Sequence, residues 1–281
     1  MPYNLKLIGY PIKHSMSPWI HKEFLKRTGI EGSYSLFEIN PEDDFEAKLL
    51  QLKKEQTDGF NITVPYKEKI ISYLDEIDET AREMQAVNTV VAKNGKWIGY
   101  NTDGIGYVRA LTSAYPRLFQ MTDLKILIIG SGGAARGIYY ALARSGSEVI
   151  DLANRTRSKA EEIAALGTDK VNTEIYSISE AEGVLASYDL IIQTTSVGMM
   201  PNEEQAPLTI RELKEDAVVS DIIYQPIKTK LLQQAEQVNG NIHFGHTMLL
   251  YQAQSAFEIW TGKLANVTDM DTQLQQILEG R

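Results

Sequence analysis

Short apolar runs alternate with amphipathic stretches along most of this chain. That alternation is the pattern of strands joined by crossover helices in a parallel or mixed sheet, so the fold class it predicts is α/β. Residues 6–9 read as a first strand, and Ser17 and Pro18 then offer cap and first-turn chemistry for a helix running to Gly29. Residues 34–39 are the next strand. Asn40 and Pro41 repeat the cap signal before a helix through Leu49, Leu50 and Leu52, and residues 59–64 read as a third strand. Residues 88–92 and 96–100 flank Asn94-Gly95, a pair that favours the positive backbone angles of a tight hairpin, so part of this sheet is antiparallel. A helix over 103–115 ends near Pro116, and 118–123 reads as a domain crossing. A second sheet follows, with strands at 125–129, 148–153, 189–195 and 217–223 at βαβ spacing. The last helix, 248–260, is apolar around more than half its circumference, as an element buried on more than one side would be.

Composition removes several classes of function. The 281 residues include no cysteine, which excludes disulfide scaffolds, thiolate metal sites and cysteine nucleophiles. The 37 acidic residues outnumber the 28 basic ones, so the field of the whole molecule repels nucleic acid and anionic membranes. An anionic substrate would need a locally positive pocket. Pro11 and Lys13 break the opening segment before any signal-length apolar run, and no later run approaches the ~18 apolar residues of a membrane span. The expectation is a soluble, cytoplasmic protein with no nucleic-acid or membrane partner. The four histidines, His14, His21, His243 and His246, show no metal-ligand spacing, and no metal is expected.

The segment KILIIGSGGAAR is an apolar strand running into Gly130, Gly132 and Gly133 and then a helix, with Ala135 completing the G-x-G-x-x-G/A spacing. Glycines let backbone amides close on a pyrophosphate, and the helix N-terminus adds partial positive charge. The end of the next strand selects the dinucleotide: an acid would bind a ribose 2′-hydroxyl, a basic residue a 2′-phosphate. The sequence there is Asn154-Arg155-Thr156, with Arg157 and Lys159 close behind, which predicts NADP over NAD. Asp151 is the counter-candidate, three positions before the strand ends; Arg155 as a solvated surface charge is the other reading.

In the first half, Lys67 follows Pro65 at an expected helix start and shares the spacing i, i+3, i+4, i+7 with Ile70, Ile71 and Leu74, which places a lysine on a buried stripe. Partial desolvation beside a helix N-terminus tunes an amine for acid/base work; a lysine snorkelling to water fits the same pattern. Taken alone, Asp103 reads as a helix cap, and Ser15, Ser17, Thr63 and Asn88 read as cap or turn residues. Gln252 projects into the apolar arc of the last helix, with Gln254, Ser255 and Glu258 on the opposite side, so its amide needs partners that a hydroxylated ligand would supply.

In order and spacing these motifs resemble shikimate dehydrogenase over essentially the whole chain: GYPIKHSMSP at 9–18, GFNITVPYK at 59–67, AVNT at 86–89, GYNTDGIG at 99–106, GSGGAAR, NRT at 154–156, QTTSVGM at 193–199, DIIYQP at 221–226 and the Gln252 helix. The resemblance implies an NADP-dependent interconversion of shikimate and 3-dehydroshikimate on the route to chorismate and aromatic amino acids. It implies a substrate and catalytic domain of 1–103 plus 246–281, a Rossmann-type NADP domain of 104–245, and substrate held in the cleft between them. Lys67 and Asp103 would be the catalytic pair; Ser15, Ser17 and Tyr224 would hold the carboxylate, and Thr63, Asn88 and Gln252 the ring hydroxyls. The implied cofactor set is Gly130, Gly132, Gly133, Ala134, Asn154, Arg155, Thr156, Lys159, Thr194 and Gly245, in a monomer or homodimer. Lys22, Ser131, Gly137 and Gln254 depart from the family's usual residues. A paralogue acting on quinate and a non-catalytic NADP sensor remain the alternatives.

Overall fold

The computed structural model describes residues 2–280. Its contacts divide the chain into two compact units: one runs to Thr102 and takes in Gln252–Val267, and the other comprises Asp103–Tyr251 with the chain from Thr268. Among the described residues each unit holds one six-stranded sheet.

The first unit carries strands β1 (Tyr3–Gly9), β2 (Gly32–Glu38), β3 (Gly59–Ile62), β4 (Glu76–Ile77), β5 (Thr89–Lys93) and β6 (Lys96–Tyr100), with helices α1 (Ser17–Thr28), α2 (Phe45–Lys54) and α3 (Glu79–Met84). The sheet order is β2-β1-β3-β5-β6-β4, parallel through β1, β2 and β3 and antiparallel where β5 meets β3 and β6. Asn94 (φ 53°) and Gly95 (φ 76°) make the expected hairpin turn. One face buries Ile8, Phe60, Ile62 and Val90 with Phe45, Leu49 and Leu52 of α2. On another, Leu5 packs with Ala256 and Trp260, whose indole N–H donates to the Val90 carbonyl at 2.8 Å. His21 lies inside this unit, stacked on Tyr34 with centroids 4.2 Å apart.

The second unit is wound from β7 (Lys125–Ile129), β8 (Val149–Ala153), β9 (Ile175–Tyr176), β10 (Leu190–Gln193), β11 (Val218–Asp221) and β12 (Asn241–His243). Its helices are α4 (Asp103–Ala114), α5 (Gly133–Arg144), α6 (Arg157–Ala164), α7 (Ile178–Glu182), α8 (Lys230–Gln237), the first part of α9 (Gly245–Thr261), and α10 (Met270–Glu279). The order β12-β11-β10-β7-β8-β9 is all parallel and reverses direction between β7 and β10, the doubly wound arrangement whose switch point receives dinucleotides. Both faces of β7 are covered: Ile126 and Ile128 pack with Ile138 and Leu142 of α5, Leu127 and Ile129 with Leu231 and Leu232 of α8. A strand buried on both sides therefore reads as an unbroken apolar run.

Several local expectations are corrected. Ser17 is the first helical residue rather than the cap; Met16 occupies the cap position, and the Ser17 N–H donates to the Ser15 hydroxyl at 3.2 Å. Asn40 does not cap α2 but accepts from Glu42 N–H in a turn of its own, and Asp44 caps the helix by accepting from Ala47 N–H. Residues 118–123 are no crossing, since Leu118 belongs to the second unit's core. The C-terminal division also differs: only 252–267 join the first unit, because α10 buries Met270, Leu274 and Leu278 within the second, where Asp271 and Glu279 act on His246.

Candidate active site

In the first unit, close backbone approach gathers three of the motifs. A Cβ on Gly9 would lie 2.3 Å from the Thr63 methyl, and Tyr10 N–H donates to the Val64 carbonyl at 3.0 Å, so the first two motifs meet where β1 and β3 end. Val87 N–H donates to the Lys67 carbonyl at 2.8 Å, which fixes the Lys67 backbone against the third motif. Lys67 is half-buried, but the helical stripe expected for it does not exist. Tyr66 N–H bonds the Thr63 carbonyl in a turn, and only a short 3₁₀ segment, Lys69–Tyr73, follows. The cause is tertiary: the Tyr66 hydroxyl donates to the Ile39 carbonyl at 2.8 Å and its ring stacks on Phe45, holding the chain out of helical register.

Asn88 is 2% exposed, and its Oδ1 accepts the Thr102 N–H at 2.8 Å while its Nδ2 donates to the Thr102 hydroxyl at 3.0 Å. Its side chain therefore braces the residue immediately before Asp103, which is the first residue of α4 and half-buried. Sequence reasoning missed the groups that complete this network. Asn61 in β3 donates to the Asn88 carbonyl and the Thr89 hydroxyl, and accepts from the Tyr34 hydroxyl at 2.8 Å. A polar residue in a strand buried at every position was the available signal. Ser15 and Ser17 bond each other at 3.2 Å, half-buried and buried respectively. Gln252 is half-buried on α9; Gln254 and Ser255, expected on the opposite side, are in fact buried, and Gln254 donates to the Ala265 carbonyl at 2.7 Å.

In the second unit, register puts Ala153, Ile129, Gln193 and Asp221 in one row across the carboxyl ends of β8, β7, β10 and β11. Every expected cofactor residue outside the helices follows that row. Gly130 has φ 110°, and a Cβ there would lie 2.7 Å from Thr194 Oγ1. Thr194 is buried and donates its hydroxyl to the Ile129 carbonyl at 2.7 Å, so it closes the turn from beneath. Gly132 and Gly133 differ: a Cβ at either meets nothing within 4 Å, and Gly132 has an ordinary φ of −84°. Neither backbone nor packing accounts for those glycines, and they stand, with half-buried Ala134, at the open N-terminus of α5, where N–H groups and helix dipole suit an anion.

Asp151 is excluded as the ribose acid. Its Oδ1 accepts from Glu174 N–H at 2.7 Å and its Oδ2 from the Tyr188 hydroxyl at 2.6 Å, inside the domain. Asn154 is half-buried and donates to the Thr156 carbonyl; Arg155, Thr156 and Lys159 are exposed. Arg157 is held by Glu161 and the Ile175 carbonyl, leaving Arg155 as the available fork at the strand end. Thr194, Met199, Met200, Ile222, Ile223 and Tyr224 contribute to a cavity of about 380 Å³ beside these loops. Tyr224 is exposed at its rim. Gly245 is tightly seated, since a Cβ would fall 2.3 Å from the Ile222 carbonyl oxygen. Gly104 has a similar reason: a Cβ there would lie 2.2 Å from the Gly137 carbonyl oxygen, so α4 and α5 touch backbone to backbone.

The fold and glycine turn thus define a dinucleotide-binding α/β protein. Residues 7–90 match the shikimate dehydrogenase substrate binding domain, 113–231 the shikimate / quinate 5-dehydrogenase model, and 245–275 the shikimate 5′-dehydrogenase C-terminal domain. A shikimate dehydrogenase (NADP(+)) of Oceanobacillus iheyensis is 58% identical over the full length of both chains. A crystal structure of a shikimate dehydrogenase in complex with NADP+ superposes with a TM-score of 0.86 at 38% identity, covering 99% of this chain and 96% of that one. One from Thermus thermophilus, in complex with NADP(H) and shikimate, gives 0.84 at 27% identity, covering 98% and 99%. The chain belongs to the shikimate dehydrogenase family.

Proposed function

We propose that this protein reversibly reduces 3-dehydroshikimate to shikimate with NADP as cofactor. The observation that carries the reading is the full-length relatedness at 58% identity to a curated NADP-dependent member of the family. The structure fits the cofactor: open glycines at a helix N-terminus, an exposed Arg155, and an Asp151 already engaged elsewhere. NADP, when bound, accepts or returns the hydride. Gly130, Gly132, Gly133 and Ala134 would hold its pyrophosphate, and Asn154, Arg155, Thr156 and Lys159 its 2′-phosphate.

Lys67 takes the proton from the reacting hydroxyl during oxidation and returns it during reduction, and Asp103 orients both the ammonium and that hydroxyl. Ser15, Ser17 and Tyr224 bind the carboxylate; Thr63, Asn88 and Gln252 bind the remaining hydroxyls. Neutral amide and hydroxyl donors suit a polyhydroxy acid, and a site left with unpaired polar groups rejects analogues lacking a hydroxyl. The first unit is the substrate domain in this reading and the second the NADP domain. The protein works in the cytoplasm on a small molecule, as a monomer or homodimer.

A second reading, activity on quinate as well, is favoured by the family model matched at 113–231, which spans both substrates. Steady-state kcat/KM for shikimate and quinate with each cofactor separates them. Shikimate with NADP is expected to dominate, and a quinate value equal to it would establish the dual-substrate enzyme. NADP binding with no turnover of either acid would identify a non-catalytic sensor.

A further inference from the structure

Gln193 and Asp221 end neighbouring strands, are direct register partners, and are both fully buried. Each folds the loop that follows it. Gln193 Oε1 accepts from Thr195 N–H at 2.8 Å, while its Nε2 donates to the Val197 carbonyl at 3.0 Å and the Thr195 carbonyl at 3.3 Å. Asp221 Oδ1 accepts from Ile223 N–H at 2.9 Å, and its Oδ2 accepts from the Thr229 hydroxyl at 2.7 Å. The two loops are themselves joined, Met200 N–H donating to the Gln225 carbonyl at 3.1 Å, and together they line the 380 Å³ cavity. Because both amide hydrogens of Gln193 and both carboxylate oxygens of Asp221 are engaged within the protein, these side chains act through the loops.

The sheet order says which part of a dinucleotide that cavity serves. The 2′-phosphate candidates follow β8 and the pyrophosphate turn follows β7, so the remaining half of the molecule extends across the switch point over β10 and β11. We propose that Gln193 and Asp221 are a pair of positioning residues that shape the cavity for the nicotinamide half of NADP. This inference rests on the NADP reading above.

The test compares dissociation constants for NADP and for 2′,5′-ADP, which carries the adenosine 2′-phosphate and lacks the nicotinamide. Gln193→Glu keeps the shape but turns a carboxylate on two carbonyls, Gln193→Met keeps the volume and removes every polar contact, and Asp221→Asn perturbs the partner position more gently. The Gln193 variants are expected to weaken NADP by about tenfold or more, and Asp221→Asn by about threefold, with 2′,5′-ADP held within about twofold throughout. Parallel weakening of both ligands, which a general loosening of the domain would give, overturns the proposal, as does unchanged NADP affinity in the folded variants. A wild-type protein that binds neither ligand overturns the cofactor reading, and this inference with it.

Discussion

Asp151 and Arg155 stand four residues apart, and their surroundings give them opposite roles. The carboxylate is consumed by Glu174 N–H and the Tyr188 hydroxyl, whereas the guanidinium is exposed beyond the strand end. A charge-assisted contact of Arg155 with a phosphate is worth roughly 1.5–3 kcal/mol, so Arg155→Ala should weaken NADP by about 10- to 100-fold and leave NAD nearly unchanged. Titration of the variant with each cofactor checks this, and equal losses would contradict the assignment. From sequence the pair was ambiguous, because nothing in the local string reveals that Tyr188, 37 residues away, claims the carboxylate. Lys67 shows the same limit in reverse: its identity as a candidate was legible, but its helical stripe was not real, since the Tyr66 hydroxyl reaches Ile39 and overrides the local pattern.

At the scale of elements, the glycines of strand-to-helix turns divide into those where a Cβ would collide with the protein and those where it would enter open space. Gly132→Ala should leave thermal stability within about 1 kcal/mol of wild type, because its Cβ enters open space, while weakening NADP. Gly245→Ala should cost about 1–3 kcal/mol or more, because its Cβ would collide with the Ile222 carbonyl. Thermal unfolding with cofactor titration separates the two classes. Elements governed by short-range chemistry were the legible ones: the Asn94-Gly95 hairpin, and β7, which lies at 125–129 as its apolar run predicts. Caps were less so, since Asn40 and Asp44 both carry cap chemistry and Asn40 is taken by its own turn. The polar sides of α9 misread because Gln254 finds a backbone partner in Ala265, so its amide is buried without penalty.

At the scale of the molecule, buried titratable groups give the two units different responses to pH. Burial lowers the His21 imidazole to about 3 from 6.5, although Asn61 pulls it part of the way back. The unfolded chain therefore takes up a proton near pH 6.5 that the folded first unit refuses, and stability falls as pH drops through 6.5 towards 3. In the second unit burial lowers His243 to about 4, with the same sign, but raises the Asp221 carboxyl to about 7. There the folded state keeps a proton the unfolded chain loses near 3.8, so stability falls as pH rises from about 4 to about 7 and opposes the His243 effect. All three tryptophans, Trp19, Trp97 and Trp260, belong to the first unit, so their fluorescence reports it alone. Urea unfolding followed that way should show a midpoint that falls between about pH 7 and pH 5 in wild type and much less in His21→Phe. Identical slopes would refute the role of His21.

The claim that Lys67 exchanges the substrate proton is tested most directly by kcat of Lys67→Ala at saturating shikimate and NADP, with the dissociation constants of both ligands measured alongside. A fall in kcat of about 10²- to 10⁴-fold, with shikimate affinity weakened only modestly, is the predicted result. Near-normal kcat in the folded variant would contradict it.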